Sequence, residues 1–169
     1  MKAEDALAEI VRAVARGPGH VVDALRIAVK ATRSRAGVVW RREGENLRPA
    51  DAHGLADDAL ARMGAQRIQE GAPGAEKEAA RARRTIHVPA LALHPLAGGT
   101  TDALARGGLT SLLAVPLVEA GEAVGVLALY GAGPFDAQES AEAERLAPAL
   151  ALAVRLETLR ADVAGRVRG

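Results

Sequence analysis

The sequence contains no cysteine, and its only aromatic residues are Trp40, Tyr130 and Phe135. A chain without cysteine has no disulfide framework, no thiolate nucleophile and no cysteine-held metal site. Three aromatic rings provide few platforms on which a flat ligand could stack. A cysteine-free chain suits a reducing compartment, and we therefore expect a cytoplasmic protein.

Strong net charge and long hydrophobic runs are also missing. The 169 residues carry a formal net charge of +1, whereas nucleic-acid-binding surfaces normally show a marked basic excess. The longest apolar stretch, around residues 147–154, is much shorter than the roughly 20 residues that span a bilayer. Glu4, Asp5 and Glu9 make the N-terminus unlike a signal peptide. The sequence thus predicts neither a nucleic-acid partner nor a membrane partner.

Short motifs that signal catalysis are absent as well. The sequence has no phosphate-binding loop, no dinucleotide fingerprint, no zinc-protease motif and no nucleophile elbow. Its serines are Ser34, Ser111 and Ser140. Ser111 begins an apolar strand with no general base placed beside it, which favours a structural hydroxyl over a nucleophile. We therefore predict that the protein is not an enzyme.

Apolar periodicity predicts alternating helices and strands in a single domain over residues 1–169. The predicted helices cover residues 3–16, 20–33, 57–70, 75–83 and 102–106, and predicted strands cover 38–42, 47–53 and 85–89. The domain divides into an N-terminal helix over 1–16, a sheet and cavity region over 20–135, and a long C-terminal helix over 136–164. This order of elements indicates an α+β domain with an antiparallel sheet.

The most informative segment lies between residues 109 and 153. Two apolar runs, over 112–118 and 123–130, flank a turn that contains Gly121, which predicts an antiparallel hairpin. Asp136 and Glu139 then stand three residues apart, as in a capping box that opens a helix.

This segment resembles the closing part of the GAF domain family. The matching residues are Val115-Pro116-Leu117, Gly125-Val126-Leu127, Phe135 and Glu139, in order over about 45 residues. The resemblance implies a fold related to PAS and profilin, with an antiparallel sheet of five to six strands whose first and last strands are central neighbours. The N- and C-terminal helices would pack on one face of the sheet, and cavity-forming helices and loops on the other.

The resemblance also implies a function. The chain would be the small-molecule-sensing GAF domain of a bacterial signal-transduction or transcription-control protein, non-catalytic and attached to a kinase or transcriptional output domain. The alternative is a degenerate GAF module that serves only for dimerisation or structure. Methionine sulfoxide reduction and bilin attachment in this family depend on cysteine, which this chain lacks. The cyclic-nucleotide signature is missing too, since Gly131-Ala132 and Glu139-Ser140 stand where the family has Asn-Lys and Asp-Glu.

If the resemblance holds, the segment from Met63 to Arg106 forms the cavity wall, and the ligand is of unknown identity. Arg81, Arg83 and Arg84 end a predicted helix, where they would either face an anion or remain in solvent. A haem sensor is a less favoured reading that would use His87 or His94, although their spacing matches no metal motif. The predicted ligand-binding residues are Arg84, His87, His94, Arg106 and Ser111.

The terminal helix carries an interaction signal. Its apolar residues form two stripes, one of which is long enough to extend beyond the sheet and repeats at 4-3-4 spacing. Either both stripes pack within the chain or the second mediates a parallel homodimer, which we favour. The predicted dimer interface comprises Leu7, Val11 and Val14 of the first helix and Leu152, Leu156, Leu159 and Val163 of the last.

Overall fold

The computed structural model describes residues 2–17, 19–66, 74–93 and 101–168. The helices are α1 (Ala3–Ala15), α2 (His20–Ala31), α3 (Asp57–Gln66), α4 (Ala75–Ala82), α5 (Thr101–Arg106) and α6 (Ala137–Arg168). The strands are β1 (Ala36–Glu43), β2 (Asn46–His53), β3 (Ile86–Val88), β4 (Ser111–Glu119) and β5 (Glu122–Gly131), with a short 3-10 turn over Leu91–Leu93. Each predicted element is present, and α6 runs a few residues further than predicted.

The five strands form one antiparallel sheet in the order β2-β1-β5-β4-β3. The first and last strands are neighbours in its centre, as the family resemblance implied. Gly125 allows β1 and β5 to approach closely, because a Cβ at this position would lie 2.1 Å from the carbonyl oxygen of Trp40. The register of the two central strands therefore depends on this glycine.

The central strands are apolar from Ala36 to Trp40 in β1 and from Ala123 to Tyr130 in β5, because both faces of the sheet are covered there. Successive side chains point to opposite faces, so Val39 packs on one side and Trp40 on the other. We call the side covered by α1, α2 and α6 the helical face, and the side covered by α3, α4 and α5 the α3–α5 face.

The helical face buries large side chains from three helices. Ile10, Leu25, Leu146 and Leu150 are fully buried there against strand residues such as Leu127. Burying each such side chain contributes about 1.5–3 kcal/mol. The predicted capping box at the start of α6 is confirmed, since the Glu139 N–H donates to Asp136 Oδ1 at 2.7 Å and the Asp136 N–H donates to Glu139 Oε1 at 3.0 Å. This face holds the chain's longest helix in place.

The α3–α5 face is covered by shorter helices. Met63, Ala79 and Leu104 are buried there against Ala114 and Tyr130. Residues 67–70 and 94–100, which the predictions assigned to a helix end and a loop, lie outside the described residues. The described cover is thus made of three short helices of 10, 8 and 6 residues.

Candidate functional site

A buried polar pair lies within the apolar α3–α5 face. The hydroxyl of Tyr130 donates to Glu76 Oε1 at 3.2 Å, and Tyr130 is only 1% exposed. Glu76 is partly exposed as a residue, but its carboxyl group is desolvated. The desolvation raises the pKa of the carboxyl group more than the hydrogen bond from Tyr130 lowers it. Burial and the nearby carboxylate also raise the Tyr130 pKa well above its usual value. Glu76 can therefore hold a proton more readily than a surface glutamate.

A second buried polar group on this face has no hydrogen-bond partner. Trp40 is 6% exposed, and its Nε1 is buried and unpaired among the described residues. Leaving a buried donor unsatisfied costs about 1–3 kcal/mol, and a ligand acceptor or a water molecule would remove that cost. Trp40 is opposite Val126 and Tyr130 is opposite Ala36, so the backbone positions of the two residues lie about 13 Å apart along the strands at roughly 3.3 Å per residue.

An open cleft of about 430 Å³ lies at the edge of this face, where α4 ends near the β1–β2 turn. Among its described lining residues, four are cations and Glu45 is the one acid. The floor is apolar and is made by Leu47, Ala80 and Ala123. We call this cavity the basic cleft; its cations are Arg42, Lys77, Arg81 and Arg83.

On the opposite face, Arg41 joins β1 to α6. Its Nη2 donates to Glu157 of α6 and, at 3.3 Å, to Asp51 of β2. All three side chains are about four-fifths buried. Burial raises the Asp51 pKa, with Glu157 acting in the same direction and Arg41 against it. Beside this network, a cleft of about 530 Å³ separates the β1–β2 turn from the last turns of α6.

The structure gives two of the predicted ligand residues other partners. His87 is opposite Leu113, which places it on the helical face, and its Nε2 accepts the Phe135 N–H at 3.1 Å. Its ring also meets the Phe135 ring edge-on at 5.9 Å. Ser111 is fully buried and donates to the Gly133 carbonyl oxygen at 2.6 Å. Both side chains hold the segment that leads into α6.

The remaining predicted residues are dispersed. Arg84 is absent from the basic cleft and lines another cleft of about 370 Å³, which it shares with Arg83 and with Glu144 of α6. Arg106 donates to Asp58 at 3.0 Å, which links α5 to α3 at the surface. His94 lies outside the described residues. The structure therefore does not gather Arg84, His87, Arg106 and Ser111 into one site.

Sequence reasoning missed the groups that the α3–α5 face does bring together. Glu76 and Lys77 belong to a short charged helix whose sequence resembles a solvated surface element. Trp40 was noted only as one of few aromatic residues. The separation of Tyr130 from Glu76 by 54 positions left no local signal of their contact.

The predicted dimer residues divide into two groups. Leu7 and Val14 pack against the chain's own core, and Leu156 is half-buried. The other four are exposed, namely Val11 (57%), Leu152 (48%), Leu159 (45%) and Val163 (58%). Val11 lies on α1, and the other three form an exposed stripe along α6 that starts beside the buried core residues Ala151 and Ala153.

The described part of the chain shows neither a metal-binding cluster nor a membrane-spanning helix. Within it, no three His, Asp or Glu side chains are grouped in a way that could hold a metal ion. No helix there is long and apolar enough to cross a membrane.

The sequence profile of the GAF domain family matches residues 21–155. No curated protein matches the sequence significantly. The structure is similar to the GAF domain of a phosphoenolpyruvate-protein phosphotransferase from Coxiella burnetii (21% identity, TM-score 0.73, 97% of this chain and 98% of that chain). It is also similar to a GAF domain/HD domain protein from Geobacter sulfurreducens (23% identity, TM-score 0.69, 83% and 93%). A free methionine-R-sulfoxide reductase from Neisseria meningitidis is a further neighbour (18% identity, TM-score 0.69, 90% and 88%). At these identities, the likeness shows a shared fold.

Proposed function

Because the chain belongs to the GAF domain family, we propose that it is a regulatory module that binds a small molecule on the α3–α5 face and transmits binding to α6. The supporting observation is the arrangement of three consecutive residues on β1. Trp40 faces the α3–α5 side with its unpaired N–H, Arg42 lines the basic cleft and also the cleft beside α6, and Arg41 contacts α6 on the helical side. One strand therefore connects the candidate binding side with the terminal helix.

The coupling follows from the alternation of side chains along a strand. A ligand that shifts Trp40 or Arg42 also shifts the backbone of Arg41, because the three residues are adjacent in one strand. Arg41 donates to Glu157, so the shift changes the position or the population of the last turns of α6. Coupling of this kind between two sites typically amounts to about 1–3 kcal/mol.

The proposal includes a non-catalytic role. The reductases of the GAF family depend on cysteine, and the chain has none. Glu76 and Tyr130 form one hydrogen-bonded pair, with no further titratable side chain bonded to either within the described residues. A carboxyl group and a phenol with raised pKa values suit hydrogen bonding on a binding face better than proton transfer at neutral pH.

Dimerisation through α1 and α6 is a further part of the proposal. The stripe of Leu152, Leu159 and Val163 leaves apolar surface in water on a single chain. A two-fold partner would present the same stripe and cover it. Movement of α6 would then reach an attached kinase or transcriptional output domain in a bacterial signalling protein.

A purely structural module is the alternative. Met63, Leu91 and Leu104 are buried and pack closely on the α3–α5 face, and the three described clefts lie at the edges of the fold. This packing is what a filled, degenerate cavity would show.

Native mass spectrometry of freshly purified protein tests the proposal. We expect a dimer that retains a small molecule, and a Trp40→Phe variant that retains about tenfold less because it lacks the indole donor. A matched control is Thr158→Val, which likewise removes one side-chain donor but lies on α6, away from the α3–α5 face. The structural module would be favoured if the protein retains no small molecule and if no metabolite mixture raises its stability.

A further inference from the structure

We propose that the basic cleft binds a small organic dianion, a molecule with carboxylate or phosphate groups on a short aliphatic body. This inference rests on the proposed function and names the chemical class of its ligand. The cleft lies on the α3–α5 side of the sheet, beside α4 and the ends of β1 and β2.

The basic cleft carries positive charge that its described lining residues do not neutralise. Lys77 and Arg83 have no hydrogen-bonded or ion-paired partner among the described residues. Arg81 shares its charge with Glu78, to which it donates at 2.6 and 3.0 Å. Glu45 is the one acid among the described residues that line the cleft, so a positive excess remains. A concave site lined by charges of one sign concentrates counter-ions more strongly than a flat surface does.

Two backbone carbonyl groups hold the guanidinium of Arg42 in place. Its Nε donates to the Gly44 carbonyl oxygen at 2.7 Å, and its Nη1 approaches the Ala123 carbonyl oxygen at 3.4 Å. Neither contact uses Nη2, whose N–H groups remain available to an oxyanion. A guanidinium that is held in advance loses less rotamer entropy on binding an anion, and its fork matches the geometry of carboxylate and phosphate.

The backbone conformation of Arg83 directs this residue toward the cleft. This residue ends α4 in the left-handed conformation, with φ 53° and ψ 42°, where glycine or asparagine would be favoured. Arg33 takes the same conformation after α2, with φ 57°, so this is how two helices of the chain end and it bears on the position of Arg83. The conformation turns the chain out of the helix and places Arg83 in the wall of the cleft.

The size and floor of the cleft indicate the ligand's body. A volume of about 430 Å³ is larger than a single inorganic phosphate requires. Leu47, Ala80 and Ala123 offer aliphatic contacts, and no aromatic ring lines the described cleft for a nucleobase to stack on. A short dicarboxylate or a phosphorylated three-carbon compound fits this combination.

The test uses full-length protein and isothermal titration with succinate, citrate, glycerol 3-phosphate and inorganic phosphate, with succinamide as the uncharged control. We expect at least one organic dianion to bind with a Kd of about 1 mM or tighter. Binding should weaken with added salt, and succinamide should not bind. Comparison of succinate with glycerol 3-phosphate separates the carboxylate source from the phosphate source.

Charge-matched variants locate the site. Arg42→Gln and Arg83→Gln should each weaken binding about tenfold, since each removes a charge-assisted hydrogen bond. Arg12→Gln removes the same charge from exposed α1 and should leave the Kd unchanged. Circular dichroism checks that the variants fold.

Three results would overturn this inference: no organic dianion binds, Arg12→Gln weakens binding as much as Arg42→Gln, or inorganic phosphate alone binds. If the anions fail while the purified protein retains another small molecule, the proposed function stands and only the ligand class is wrong. If neither occurs, both proposals fail together.

Discussion

The two faces of the sheet differ in their buried polar groups, and the helical face holds the larger apolar cluster. On the helical face, His20 lies 2.7 Å from the Gly17 oxygen and 2.9 Å from the Ala153 oxygen, and Ser111 donates to Gly133. The buried Arg41 Nε is unpaired there, but it belongs to a guanidinium that Asp51 and Glu157 already bind. On the α3–α5 face, Trp40 keeps an unpaired N–H, and Glu76 is desolvated beside Tyr130. The difference indicates that the helical face provides stability and that the α3–α5 face keeps polar groups for binding.

The largest expected effect is a difference in the free energy of unfolding between variants of the two faces. Leu150→Ala on the helical face should lower the free energy of unfolding by about 2–5 kcal/mol, because Leu150 is fully buried within a rigid layer of long helices. Leu104→Ala on the six-residue helix α5 should fall at the lower end, since a short helix can relax toward the space left. Urea denaturation measures both variants. An equal or larger cost for Leu104→Ala would remove the distinction between the faces.

The next effect concerns the exposed stripe on α6. Leu159→Asp combined with Val163→Asp should weaken the predicted dimer by about 100-fold or more, since burial of each side chain is worth about 1.5–3 kcal/mol. Light scattering against concentration measures this. Ala164→Asp, on an exposed alanine of the same turn, is the matched control and should leave the dimer intact. A wild-type protein that is monomeric at micromolar concentration would contradict the dimer.

A smaller effect is the pH dependence of stability that Glu76 gives the α3–α5 face. The folded pKa of Glu76 is raised above its ordinary value of 4.5, so the folded state binds its proton more tightly than the unfolded state. The stability linked to Glu76 is therefore greatest below pH 4.5 and is lost as the pH rises through the interval up to the raised pKa. Glu76→Gln keeps an oxygen for Tyr130 and should stabilise the protein by about 1 kcal/mol at pH 7, but not at pH 4.

Glu78 provides the control for this pH dependence. It lies two residues away and hydrogen-bonds Arg81, which lowers its pKa. Glu78→Gln should therefore not stabilise the protein at pH 7. Thermal unfolding followed from pH 4 to pH 8 compares the two variants. A Glu76→Gln variant that matches the wild type at every pH would show that the carboxyl group is well solvated.

Most of the fold could be predicted because its signals are local. The β4–β5 hairpin depends on two apolar runs around one turn, and the capping box of Asp136 and Glu139 depends on residues three positions apart. The two-sided burial of the central strands follows from their continuous apolar sequence. The family resemblance added the strand neighbours in the centre, which no local pattern determines.

The candidate site was much less predictable because its contacts are long-range. Arg41 meets Glu157 across 116 positions, and His87 meets Phe135 across 48. The sequence drew attention to His87 and Ser111 for their chemistry, but strand register turns both toward the helical face. It drew attention to Arg81, Arg83 and Arg84 as a group, whereas the helix end divides them: Arg81 and Arg83 line the basic cleft, and Arg83 and Arg84 line the cleft beside α6.

Hydrogen exchange along α6 tests the central claim, that β1 couples the α3–α5 face to the terminal helix. The protein is compared with and without whichever of succinate, citrate or glycerol 3-phosphate binds most tightly. In the wild type, we predict that the ligand changes the protection of the amides of residues 155–168. The Arg41→Gln variant should bind the ligand with the same affinity but show no such change. An unchanged α6 in the saturated wild type, or an undiminished response in Arg41→Gln, would contradict the coupling.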